Sequence, residues 1–132
     1  MKSETPKKEP SDFSIKKRLK SFEYAGKGIR SFVLSTPNAW IHLTVAVIVI
    51  AAGFYFKLSI IEWIGIVLSI GMVLSAEALN TAVEEWVDVV KPEFDKKAGN
   101  VKDIAAGAVL MTAICATVIG LLIFLPKIIA LF

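Results

Sequence analysis

The sequence holds a single cysteine, Cys115, so no disulfide can form within one chain. That thiol sits in an apolar run and reads as buried and inert. No GxxxxGK[ST] run occurs, which excludes a Walker-type phosphate loop. A secretory leader is also missing: the first apolar run starts only near Ala39, with no cleavage-site pattern before it. The apolar segments are therefore expected to stay in the mature protein. Charge is scarce where hydrophobicity is long. Residues 60–76, IIEWIGIVLSIGMVLSA, carry only Glu62. With 132 residues, there is room for about three membrane spans and no separate soluble domain.

What is present fits that frame. The chain is 55% hydrophobic with a mean hydropathy of +0.66, high for a soluble domain and ordinary for a small membrane protein. The expected architecture is all-α: a disordered tail over 1–12, then one membrane domain over 13–132. Polar and Pro-containing MKSETPKKEPSD forms the tail, and Ser11 or Asp12 can cap a helix starting at Phe13. Over 13–35, Ile15, Leu19, Phe22, Gly26, Ile29 and Val33 recur at helical steps, with Lys16, Lys17, Lys20, Lys27 and Arg30 mostly off that stripe. An apolar stripe with a basic opposite face predicts a helix lying in the headgroup region. Pro37 ends it. Spans are expected at about 39–57, 60–90 and 103–125, with a tight connection at Lys57-Leu58-Ser59 and a polar one, containing a Gly-Asn turn, at 91–103. Trp40 and Tyr55 suit the two interfaces of the first span, and His42 reads as an interfacial hydrogen bonder. Gly65 and Gly71 read as close-packing positions, Glu62 as an outer-interface residue without chemistry.

Basic residues set the orientation. The segment to Arg30 holds nine Lys/Arg and the 91–103 connection four, against Lys57 and Lys127 on the other side. The N-terminus and the 91–103 connection are therefore expected in the cytoplasm.

Glu77, Asn80, Glu84 and Asp88 then lie where the second span leaves the bilayer. At 100° per residue they fall at about 0°, 300°, 340° and 20°, one stripe roughly 80° wide. Three carboxylates and an amide on one stripe repel unless a cation sits among them. Hard oxygen donors suit Mg²⁺, which takes one or two carboxylates plus phosphate oxygens. Lys102 and Asp103 stand at the expected start of the third span, and a helix N-terminus beside a lysine suits phosphate. Glu85 lies off the stripe and reads as a solvated acid. These residues admit three classes: phosphoryl transfer from ATP to a lipid hydroxyl, a small proton-coupled transporter using Glu77, and a structural assembly protein.

The segments carry a further signal. EALNTAVEEWVD at 77–88 resembles the E-x-x-N-[ST]-A-[IV]-E-x-x-[VI]-D signature of the bacterial integral-membrane diacylglycerol kinase and undecaprenol kinase family. VKDIAAGAV at 101–109 resembles its A-K-D-x-x-[AS]-[AG]-A-V signature, SFEYAGKGIR at 21–30 its S-[FL]-x-[YF]-A-x-x-G-[LI]-[RK] segment, and NAWIH at 38–42 its entry to the first span. The match covers about residues 15–125. The resemblance implies a homotrimer in the bacterial inner (cytoplasmic) membrane, with active sites completed by neighbouring chains, and ATP- and Mg²⁺-dependent phosphorylation of diacylglycerol or undecaprenol. It implies Glu77 as general base, Asn80 orienting the hydroxyl, Glu84 on Mg²⁺ with Glu77 beside it, and Lys102 on the ATP phosphates. Asp88 and Asp103 would position the base, the lysine or the nucleotide. Lys17, Lys20 and Tyr24 fall where the family's surface helix meets ATP, with Arg18 able to replace Lys17. Two positions depart from the pattern. Val101 replaces an alanine, a mild packing change. Thr36 stands where the family usually has a glutamate that helps Glu84 to hold metal, which leaves open a weakened metal site, a second ligand shifted to Asp88 or a water, or a catalytically inactive relative.

Overall fold

A computed structural model describes residues 14–132. The tail expected at 1–12, its caps at Ser11 or Asp12 and the helix start at Phe13 lie outside these residues. The described chain is four helices in order: α1 (Ile15–Ser35), α2 (Pro37–Tyr55), α3 (Ile60–Val90) and α4 (Lys96–Ile129). The last three are long and apolar enough to cross a membrane. The chain is therefore an all-helical, multi-pass membrane protein.

Local chemistry sets each boundary. Thr36 adopts an extended conformation between α1 and α2, and Pro37 opens α2 at a position where its missing N–H costs nothing. Lys57 turns the chain through a left-handed backbone conformation at φ 51°, which lets the α2–α3 connection close in four residues, 56–59. Ser59 and Glu62 then form a reciprocal cap: Ser59 N–H donates to Glu62 Oε2 at 2.7 Å, and Glu62 N–H donates to Ser59 Oγ at 3.4 Å.

Two expected boundaries are corrected. The polar connection read at 91–103 is helical from Lys96, so Gly99 and Asn100 are no turn. Asp95 starts α4 early, because its Oδ1 accepts the N–H of Lys97 at 2.8 Å and of Ala98 at 2.9 Å. These bonds, from Ala98 first and Lys97 second, hold the Asp95 carboxyl below the usual carboxylate range. A lowered folded-state value means the cap is fully present above the ordinary aspartate range and is lost as pH falls through the lower one. At the other end, Pro126 does not stop α4, which runs on to Ile129.

α3 and α4 form the main antiparallel pair. An ion pair joins them at each end: Lys127 to Glu62 at 2.9 Å, and Lys102 to Asp88. Between these, the site of Gly65 faces Ile119 and Ile123 at 3.5 and 3.6 Å, so one register holds along the whole pair. Glu62 is thus structural twice over, as cap and as tether. Gly71 has nothing within 4 Å, so the close packing expected there does not occur within one chain. Cys115 is exposed rather than buried, because α4 contributes no fully buried residue.

α2 meets α3 closely at Gly53. A Cβ built there would lie 2.7 Å from Trp63 Cη2 and 3.2 Å from Leu58 Cδ1, and Trp63 is itself packed on Phe54 with ring centroids 4.9 Å apart. Gly53→Ala is therefore expected to destabilise the fold by about 1–3 kcal/mol, read as an earlier midpoint in detergent-titrated unfolding. An unchanged midpoint would mean the Trp63 ring yields freely.

Candidate active site

The rise along α3 from Ile60 to Glu77 is about 26 Å, close to the thickness of a bilayer core. Glu77 is therefore expected at the far membrane boundary, with the turns beyond it leaving the hydrocarbon. Glu77 is 2% exposed, and its Oε1 has no hydrogen-bond partner. Asn80, one turn on, is 6% exposed and also carries an unpartnered oxygen, Oδ1. Buried acceptors left unpaired are costly, so a donor is expected to meet them in the working state.

Glu77 opens onto a cleft of about 280 Å³ between the α1–α2 junction and the end of α3. Ser35, Thr36, Pro37 and Asn38 form one wall; Glu77, Thr81, Glu84, Glu85 and Asp88 form the other. Relative to Glu77 the α3 residues lie at about 40°, 340°, 80° and 20°, an arc of roughly 100°. This is not the stripe read from the sequence. Its centre is displaced toward Thr81, whose hydroxyl lies 3.5 Å from that of Thr36 and donates to the Glu77 carbonyl at 3.0 Å. Asn80 is off the lining. Its Nδ2 instead donates to Glu84 Oε1 at 3.0 Å, so it fixes the carboxylate that borders the cleft.

The other residues singled out from the sequence are placed unevenly. Lys102 is half-buried at the cleft rim, held there by its ion pair with Asp88, which lines the cleft. Asp103 is exposed and outside the lining. Lys17, Lys20 and Tyr24 are exposed on α1, and Lys27 lies over the Tyr24 ring at 5.6 Å while pairing with Glu23 at 2.7 Å. Measured along α1 from Ser35, Tyr24 is about 16 Å away, Lys20 about 22 Å and Lys17 about 27 Å. A single chain therefore does not gather them at its own cleft. Of the cleft residues on α3, Thr81 and Glu85 were not singled out from the sequence. Their signal is the face of α3 that meets Thr36, which no single-helix periodicity shows.

No three His, Cys, Asp or Glu side chains converge tightly enough to grip a metal among the described residues. The donor set nevertheless suits a hard divalent ion that keeps waters and takes phosphate oxygens. It offers carboxylate and hydroxyl oxygens with the Asn38 amide, and one buried carboxylate oxygen without a partner.

A second cavity, of about 520 Å³, lies between α2, α3 and α4 within the membrane-spanning region. Its walls are apolar except for His42, Ser69 and Thr117.

A family model described as prokaryotic diacylglycerol kinase matches residues 23–124. The chain is 46% identical over 109 residues to an undecaprenol kinase of Bacillus subtilis (strain 168), covering 83% of this chain and 89% of that one. It is 37% identical over 114 residues to a diacylglycerol kinase of Synechocystis sp., covering 86% of this chain and 65% of that one.

Proposed function

This chain belongs to the prokaryotic diacylglycerol kinase family, and from that premise we propose that it transfers the γ-phosphoryl group of ATP to the hydroxyl of a membrane lipid. The observation that carries this reading is Glu77: a buried carboxylate with a free oxygen, at the membrane boundary, opening on a polar cleft.

The acceptor lipid enters from the bilayer and presents its hydroxyl to Glu77. Glu77 takes the proton as the lipid oxygen bonds to the γ-phosphorus, and the bond from that phosphorus to the β–γ bridging oxygen breaks, its electron pair leaving with ADP. Asn80 keeps Glu84 turned to the cleft. Lys102, tethered by Asp88, brings positive charge to the triphosphate. Asp103 flanks Lys102 and acts on the nucleotide side. Glu84, with Glu77 beside it, would hold Mg²⁺, which would supply charge neutralisation at the phosphate oxygens. Positioning and charge compensation carry the rate.

Lys17, Lys20 and Tyr24 act on ATP from a neighbouring copy in a homotrimer. Their distance along α1 from the same chain's cleft supports that arrangement. The excess of Lys/Arg before Arg30 and over 91–103 supports a cytoplasmic N-terminus in the bacterial inner membrane, so that the cleft faces the ATP pool.

The test is to incubate purified protein in micelles with labelled ATP, Mg²⁺ and either diacylglycerol or undecaprenol. Label in one lipid phosphate is the expected result. No lipid labelling with either acceptor, in protein that remains folded, would overturn the kinase reading.

A further inference from the structure

Glu85 is the acid that periodicity set aside, and the fold places it in the cleft with Thr36, Glu84 and Asp88. Its position is one that the E-x-x-N-[ST]-A-[IV]-E-x-x-[VI]-D signature leaves free. Thr36, on the facing wall, is the position where the family pattern usually has a metal-holding glutamate. Here that wall contributes Ser35, Thr36, Pro37 and Asn38, which carry no charge. All the negative charge of the cleft therefore comes from α3.

We propose that Glu85 supplies the carboxylate that Thr36 does not, so that in this chain a divalent cation is held by Glu84 and Glu85 of one helix. A second acid raises the charge that the ion meets. Glu84 alone, with Oε1 already accepting from Asn80, offers a divalent ion little charge, and Glu77 beside it also has the lipid proton to take. Mg²⁺ sites commonly take one or two carboxylates and fill the rest with water and phosphate. Glu85 is exposed and, among the described residues, no hydrogen bond or ion pair engages it, so its long side chain is free to swing onto an ion. The contact between the Thr36 and Thr81 hydroxyls fixes where the two walls meet, and Glu85 lies one turn beyond Thr81 on the same face of α3. The unpartnered Glu77 oxygen, 2% exposed in that cleft, is an independent sign that a ligand belongs there.

The inference rests on the kinase reading only for what the ion is used for, so its test measures the ion. Full-length protein in detergent micelles is titrated with Mn²⁺, without nucleotide or lipid, and free Mn²⁺ is read by electron paramagnetic resonance. Glu85→Gln is expected to weaken Mn²⁺ binding roughly tenfold, as loss of a group supporting a metal site does. Adding Thr36→Glu to Glu85→Gln is expected to restore it, by returning a carboxylate to the opposite wall. Glu93→Gln, an exposed acid in the α3–α4 connection and outside the cleft, is expected to change nothing. Wild-type affinity in Glu85→Gln, or no Mn²⁺ binding by the wild type, would overturn the proposal. A wild type that binds Mn²⁺ through Glu85 but labels no lipid would instead remove the kinase reading and leave the cation site standing.

Discussion

Glu77→Gln is expected to lower lipid phosphorylation by about 10²–10⁴-fold, the usual worth of a positioned general base. The change keeps the shape of the side chain and removes its capacity to take a proton. Folding should survive it. Glu77 is almost wholly buried, where a charged carboxylate is costly and a neutral amide less so. The variant's unfolding midpoint should therefore match or exceed the wild type's. Measuring initial rates with saturating lipid and ATP, beside detergent-titrated unfolding, separates the two effects. Wild-type turnover would remove Glu77 as the base.

Lys102→Met is expected to have the next largest effect, and it should fall on the nucleotide. A hydrogen bond to a charged group contributes about 1.5–3 kcal/mol, so kcat/KM for ATP should fall roughly 10- to 150-fold. The lipid KM should move little, because Lys102 sits at the rim beyond Glu77. Stability should also change little. Asp88, left without its partner, is well exposed and stays hydrated. Lys102→Arg should recover part of the loss, since a cation returns to the rim. Equal losses for ATP and lipid would point to a distorted α3–α4 register instead, because the Lys102–Asp88 pair is one of its two end tethers.

The two predictions depend on different kinds of information. The expected depth of Glu77 rests on counting apolar residues along α3, whereas its burial against the rest of the chain, with Glu84 and Asp88 exposed beyond it, is visible only in the structure. The position of Lys102 opposite Asp88 could not be counted in the same way. It depends on the antiparallel register of two helices and on α4 starting at Lys96 instead of near residue 103. The signal for that early start was present in Asp95, a good N-cap residue, but the Gly99-Asn100 pair argued for a turn. Two backbone hydrogen bonds to one carboxylate oxygen decided it. Glu62 was legible as an interfacial acid, whereas its tether to Lys127 required both ends of the helix pair.

Hydropathy and periodicity are properties of one segment in one solvent, so the sequence alone determined that three helices are long and apolar enough to span and that the chain breaks before the first of them at Pro37. Which of those acids share a cavity is a relation between segments. The α1–α2 junction docks against the Thr81 side of α3, which leaves Asn80 out of the cleft lining and brings Glu85 in. Contact between separate helices chooses the functional face, and no count along a single helix contains that choice.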